Sequence, residues 1–453
     1  MSWLPVVFAL LCAVCVVSLD PIVSTSYGKL QGTTDPKDSG FYSFKSVPFA
    51  KPPVGNLRFS LPQAPEPWNH TLTARNYSAP CIGGSASETA VENCLYMNIF
   101  TSQHCLAEKC PVIVFFHGNT PNADSAVAFQ DDYIRERYVS EGIVFVIPAY
   151  RLGVFAQLHF DSLSANLNVQ DTLAALKFVH QEIGNFGGDS NQVTIMGEGS
   201  GADIVTAISF SRRVDPKKVL FHQVVALNPT GRFVDNDLLV DDSQMLSRYF
   251  KCLPSKKVLN RHCANPQAII FCLQNVASKD LFNQSLRLKS WSQGSVAGLP
   301  LIEKNEKLRR NPPPRPMILG VSINSNNKSE ALDNRVFDSV AELAQEMTKT
   351  GGNVFVFKSQ ISQIQLLMGS PQGDFGQDQN IELMARLLSE LLVTFVRKGS
   401  PSSKWNKYDL KRRNVLALQV NLIEGVYPEM RHSEEEDGQW TAEVLHLTYT
   451  LKN

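Results

Sequence analysis

The chain has 453 residues, 43% apolar and 19% charged, a composition that excludes a disordered polymer and allows a large buried core. Lys plus Arg and Asp plus Glu each number 43, so the formal net charge is zero. Nothing in that balance calls for nucleic acid or an anionic membrane surface as a partner.

The first element is the apolar run from Trp3 to Val17, closed by the small residue Ser18. It is too short to span a bilayer and reads as a signal peptide over 1–18, leaving a secreted chain at 19–453 as one domain. No later stretch is long and apolar enough for a membrane span. Val112 to Phe116, ended by His117 and Gly118, is a continuous apolar run, and Gly142 to Pro148 is a second. Leu173, Leu176, Val179 and Ile183 recur at helical spacing, which predicts an amphipathic helix over Val169 to Ile183. Val193 to Met196, ended by Gly197, is a third buried run, and a helix should follow over Ala202 to Phe210. Leu220 to Leu227 reads as a strand or a helix-to-strand junction. Met317 to Val321 and Val354 to Phe357 supply two more strands, and Ile381 to Phe395 is a strong helix. The Pro-rich stretch 309–316 reads as a surface loop and the acidic run Glu434 to Asp437 as a solvated one. Apolar runs without alternation are strands buried on both faces. Their alternation with helices predicts an α/β protein with a mostly parallel central sheet and helices on both faces.

Nine cysteines occur, of which Cys12 and Cys15 leave with the signal. The other seven sit in local clusters, as disulfide loops do in exported proteins, and none forms a pair with metal-ligand spacing. Asn-x-Ser/Thr sequons at Asn69, Asn76, Asn283 and Asn327 agree with a glycosylated, extracellular protein. No metal or cofactor is expected.

The segment from Phe186 through Gly197-Glu198-Gly199-Ser200-Gly201 to Ala202 resembles the strand-and-turn segment of type B carboxylesterases, the cholinesterase-like group. Phe44 to Phe59, Glu92 to Ile99, Tyr150 to Gly153, Asn166 to Val179, Leu392 to Pro401 and Trp440 match further segments of that family in order. The resemblance implies an α/β-hydrolase fold, shortened here, because the family places many more residues between its acid loop and the strand at Val354. It implies disulfides Cys81–Cys94 and Cys252–Cys272. Cys105 and Cys110 can then close a small extra loop, which leaves Cys263 as the odd thiol.

The departures from the family decide the expected function. In this fold the nucleophile sits on a strained turn of pattern Gly-x-Ser-x-Gly. The turn position here is Gly199, with no side chain, and Ser200 stands one place later as a weaker candidate nucleophile. The histidine position holds Gln372, which has no basic nitrogen. The acid position holds Ser325 in gapless register, or Glu330 after a short insertion. In the oxyanion loop the family's glycines are replaced after Gly118 by Asn119, Thr120 and Pro121, and Ser200 would offer its backbone N–H. His117 is expected to pack the loop rather than catalyse. These losses predict a non-catalytic secreted protein that binds an extracellular protein partner. The alternatives are a carrier for a hydrophobic small molecule and an ester hydrolase with relocated residues. A homodimer through Ile381 to Phe395 is a further possibility that core packing of that helix explains equally well.

Overall fold

In a computed structural model of the protein, the residues described are 20–83, 89–118, 125–160, 166–230, 233–234, 236–253, 265–288, 296–297, 311–322, 330–359, 361–369, 379–421, 425–433 and 440–444. In chain order the strands are β1 (Ile22–Thr25), β2 (Gly28–Gln31), β3 (Thr33–Thr34), β4 (Phe41–Pro48), β5 (Leu72–Thr73) and β6 (Tyr96–Ser102). They continue with β7 (Cys110–Phe116), β8 (Val144–Pro148), β9 (Gly188–Glu198), β10 (Gln223–Leu227), β11 (Phe233–Val234) and β12 (Val296–Ala297). The last five are β13 (Met317–Ser322), β14 (Val354–Ser359), β15 (Val415–Asn421), β16 (Gly425–Ser433) and β17 (Trp440–Val444).

Twelve of these form one sheet in the order β17-β16-β15-β14-β13-β10-β9-β7-β8-β6-β4-β3. Its centre, from β15 to β8, is parallel throughout. The flanks β17-β16-β15 and β8-β6-β4-β3 are antiparallel. Val112–Phe116, Val144–Ile147 and Val193–Met196 of the central strands are buried throughout, as strand segments covered on both faces must be. The C-terminal antiparallel strands lack so plain a signature, because Gly425–Ser433 mixes Pro, Glu, Arg and His with its apolar residues.

The helix Leu167–Glu182 extends the expected one by two residues at its start. The helix Ser200–Phe210 begins directly after the turn that ends β9 and packs on β9, β10 and β7. The short interval before β14, where the family's extra material is missing, is filled by the helix Glu330–Lys349, which lies on β13 and β14. That helix was not foreseen; its apolar positions Val336, Val340, Leu343, Ala344 and Met347 recur at helical spacing and are all buried. The helix Gln379–Lys398 spends its apolar face on the sheet, against β7, β9, β15 and β16. Core packing, the alternative kept open for this helix, is what its residues do.

A second apolar cluster lies apart from the sheet. Leu239, Leu246, Leu253, Ile269, Ile270, Leu273, Leu281 and Phe282 pack with Phe155, Phe160 and Leu167. The disulfide Cys252–Cys272 ties this cluster, while Cys81–Cys94 and Cys105–Cys110 tie loops at the other side of the chain order. All three are the expected pairings, and Cys263 lies outside the described residues. Two ion pairs, one partly and one fully buried, join the segments that carried the resemblance. Arg58 meets Glu92 in a bidentate pair, with Nε–Oε2 of 2.6 Å and a second bond of 2.5 Å. Arg151 meets Asp171 likewise at 2.8 and 2.7 Å, with side-chain exposures of 4% and 0%.

Candidate functional site

Along the parallel part of the sheet, the chain runs from β7 outward to β8 and then returns to the other side of β7 to form β9. The strand order reverses there, and ligands of open α/β sheets bind at the carboxyl ends of strands flanking such a reversal. The carboxyl end of β9 is Glu198, followed by Gly199 and Ser200, and that of β7 is Phe116, followed by His117 and Gly118.

The two ends touch. A Cβ at Gly201 would lie 2.1 Å from the Phe116 carbonyl oxygen and 2.6 Å from that of His117. A Cβ at Gly118 would lie 2.3 Å from Glu198 Oε2. A Cβ at Gly197 would lie 2.3 Å from the Gly201 carbonyl oxygen. Glycines at 118, 197 and 201 are therefore required by close approach. Gly199 differs: its φ of 54° and ψ of −117° form the sharp strand-to-helix turn, yet among the described residues a Cβ there would meet nothing within 4 Å. The turn has the sharp backbone conformation expected of a strand-to-helix elbow, with no side chain on it. Its amide donates to the Leu227 carbonyl at 2.9 Å.

Ser200 is the first residue of the helix and is half-buried. His117 is buried, with Nδ1 3.1 Å from the Gly118 carbonyl oxygen and its ring stacked on Tyr150 at 4.5 Å. Tyr150 in turn donates its hydroxyl to the His117 carbonyl. His222, below the carboxyl ends, accepts the Val193 amide at Nδ1. None of these contacts joins a histidine to Ser200. Asn119, Ser325, Gln372 and Asn327 lie outside the described residues, while Glu330 opens the helix Glu330–Lys349. Asn69, Asn76 and Asn283 are exposed, the last on the helix Ser278–Ser285. Among the described residues no group of three or more His, Cys, Asp or Glu could hold a metal ion, and no helix is long and apolar enough to cross a membrane.

A polar chain unremarked in the sequence runs across the carboxyl ends of β9, β10 and β13. Glu198 is buried beside the Asn228 side chain. Asn228 sits at φ 54°, a conformation asparagine tolerates, and exchanges two hydrogen bonds with Ser322. Its Nδ2 donates to Ser322 Oγ at 3.1 Å, and the Ser322 amide donates to its Oδ1 at 2.6 Å. The Gln363 amide donates to Ser322 Oγ at 3.4 Å, and its fully buried side-chain amide has no partner. Asp203, one turn into the helix, accepts from the Thr230 amide and hydroxyl at 2.7 and 2.6 Å. Burial, reinforced by the Asp203 charge and opposed by the Asn228 amide, pushes the Glu198 carboxyl up to about 7. The sequence signal for this chain was slight: Asn228 and Thr230 directly follow a buried run, where site residues of parallel sheets stand.

The sequence profile of the carboxylesterase family matches residues 19–358. Gut esterase 1 of Caenorhabditis elegans is 28% identical over 402 residues, covering 84% of this chain and 66% of that protein. Juvenile hormone esterase of Tribolium castaneum is 31% identical over 325 residues, covering 66% of this chain and 52% of that protein. The chain thus spans about half to two thirds of the length of these relatives. A solved structure of PNB esterase superposes with a TM-score of 0.71 at 20% identity, over 93% of this chain and 97% of that one. At that identity the likeness speaks for the α/β-hydrolase fold alone.

Proposed function

The chain belongs to the carboxylesterase family, and from that premise we propose that it is a non-catalytic member, secreted and glycosylated, that acts by binding an extracellular protein partner. One observation carries the reading: the turn that should present the nucleophile holds Gly199, which has no side chain and, among the described residues, nothing within 4 Å of its Cβ position. An acyl transfer needs an alcohol on that turn and a base beside it. The family's histidine position holds Gln372, and His117, whose carbonyl lies beside Gly201, is engaged by Tyr150 and the Gly118 carbonyl. Losing a triad's nucleophile or base alone costs on the order of a millionfold in turnover. Export is supported by the three disulfides and by the exposure of Asn69, Asn76 and Asn283.

A second reading, an ester hydrolase using Ser200, draws support from the relatives, which are named esterases. The deciding experiment is incubation of the secreted chain with a fluorophosphonate serine probe and with p-nitrophenyl butyrate. The proposal expects neither a covalent adduct nor turnover above the uncatalysed rate. An adduct on Ser200 with matching turnover overturns it.

A further inference from the structure

The loops that enter the sheet at the amino ends of its parallel strands lie at the opposite end from the Gly199 turn and have no role in the preceding reading. Four of them stand side by side: 211–222 before β10, 311–316 before β13, 350–353 before β14 and 399–414 before β15. Backbone bonds join neighbour to neighbour. The Val224 amide donates to the Pro316 carbonyl, that of Met317 to Asn353 and that of Tyr408 to Val354. Gln223 Nε2 donates to the Val396 carbonyl at 3.2 Å, which brings the basic last turn of the helix Gln379–Lys398 to the same edge.

The whole chain carries no net charge, but these loops are strongly basic. Five basic residues lie between Lys404 and Arg413, and all are exposed. Four more lie between Arg212 and Lys218, three exposed and Lys218 half-buried. The acids of the four loops are Asp215 and Asp409, and both are engaged inside their own structure. Asp215 is buried on Arg315, with Oδ2 3.0 Å from Nη2, and accepts the amides of Val219, Leu220 and Phe221. Asp409 accepts the amides of Lys411 and Arg412 at 2.9 and 2.8 Å. The longer loop is fixed from beneath. Trp405 packs edge-on against Phe355 and Phe357, and the Asn414 amide donates to the Asn406 and Lys407 carbonyls. The charges therefore stand on an ordered backbone, along an edge of three strand spacings, roughly 14 Å from β10 to β15. β16 ends beside the start of β15, and the acidic run Glu434 to Asp437, outside the described residues, follows it in sequence. Its four charges do not balance nine.

A ridge of like charges attracts an extended polyanion. Nucleic acid is held by stacked rings as well as charge, and the Phe, Tyr and Trp residues of these loops, Phe221, Tyr408 and Trp405, are all buried. A bilayer needs an apolar face beside the charges, whereas Val219 and Leu410 stand singly among them. A sulfated polysaccharide asks only for ammonium charges and guanidinium forks, which this edge supplies. The three disulfides also suit the oxidising compartment in which such polymers occur. We propose that the amino-end edge of the sheet binds a sulfated glycosaminoglycan laid across the loops before β10 and β15. The inference goes beyond the non-catalytic reading and shares with it only export of the chain.

The test measures binding of the secreted chain to immobilised heparin at roughly 0.15 M NaCl, where charges are screened beyond about 8 Å. Saturable binding that weakens steeply with added salt is expected, with none to fully desulfated heparin. Lys407→Gln with Lys411→Gln and Arg412→Gln should weaken it by at least about tenfold and flatten its salt dependence. Arg212→Gln with Lys217→Gln should weaken it by at least about threefold. Lys29→Gln with Lys177→Gln and Lys279→Gln removes as many exposed charges elsewhere and should stay within about twofold of wild type. Circular dichroism confirms that each variant is folded. The proposal is overturned if wild type fails to bind heparin, if desulfated heparin binds equally, or if either loop variant binds as wild type does. It is also overturned if the control variant weakens as much as the loop variants. Tighter binding to oligo-dT or to phosphatidylserine vesicles than to heparin overturns it in favour of nucleic acid or membrane. A fluorophosphonate adduct on Ser200 would sink the non-catalytic reading alone, and absent heparin binding this inference alone.

Discussion

Replacing Gly197, Gly199 and Gly201 one at a time separates backbone conformation from available space within a single five-residue turn. At Gly199 the constraint is conformational, with φ at 54° and ψ at −117°, and among the described residues an added Cβ would meet nothing within 4 Å. Placing an L side chain in so sparsely populated a region costs about 1–3 kcal/mol. The reduced freedom of the unfolded chain returns about 0.4–1 kcal/mol. Gly199→Ser should therefore destabilise by roughly 1–2 kcal/mol, the difference between those two contributions. At Gly201 the constraint is space: a Cβ would stand 2.1 Å from the Phe116 carbonyl oxygen and 2.6 Å from that of His117. At Gly197 it would stand 2.3 Å from the Gly201 carbonyl oxygen and 2.7 Å from the Ala202 amide nitrogen. All four are backbone atoms of a central strand, its helix or the residue that directly follows the strand, and they cannot swing aside as a side chain can. Gly197→Ala and Gly201→Ala should each cost about 3 kcal/mol or more, at the upper end for overpacking. Urea unfolding of the disulfide-intact chain, followed by tryptophan fluorescence, reads all three. The same Gly199→Ser protein should remain without turnover of p-nitrophenyl butyrate, because an alcohol without a base gains little over water. Equal stability loss at Gly199 and Gly201, or esterase activity in Gly199→Ser, would refute the reasoning.

The Glu198 carboxyl gives a signed pH effect. Its folded value, about 7, lies above the ordinary 4.5, so the unfolded chain releases the proton first as pH rises between those values. Stability should fall across that window and level off above it, and Glu198→Gln should gain up to about 3 kcal/mol over wild type at pH 8 and nothing near pH 4. Parallel urea midpoints for the two proteins at both pH values would contradict this. Breaking the buried pair by Arg151→Ala leaves the Asp171 charge stranded at 0% exposure and should cost about 3–5 kcal/mol. Asp171→Asn with Arg151→Met, which removes both charges, should recover much of that loss by the same unfolding assay. Removing the Cys252–Cys272 bridge, with a sequence separation of 20, by Cys252→Ala and Cys272→Ala should cost about 3 kcal/mol. An unchanged urea midpoint would show that the helical cluster around Leu253 and Leu273 needs no tie.

Much of the fold could be read from runs of residue types. Val112 to Phe116 and Val193 to Met196 have no polar alternation, which only a strand covered on both faces tolerates, and both are central parallel strands. The C-terminal strands were not legible, because Val415–Asn421 and Gly425–Ser433 gain their definition from pairing with each other and with β14. The regular spacing of Val336, Val340, Leu343 and Met347 is a legible sequence signal for the helix Glu330–Lys349.

The sequence by itself determined which residues stand where the resemblance points: Gly199 carries no hydroxyl and Gln372 no basic nitrogen, whatever the backbone does around them. Only the tertiary structure decided that Gly199 holds the sharp turn with nothing among the described residues within 4 Å of its Cβ position, and that Glu198, Asn228, Ser322 and Gln363 form one polar chain. Those four stand on separate elements that meet where parallel strands end. The proximity that desolvates Glu198 and leaves its Oε2 unpaired exists only once β9, β10 and β13 lie side by side.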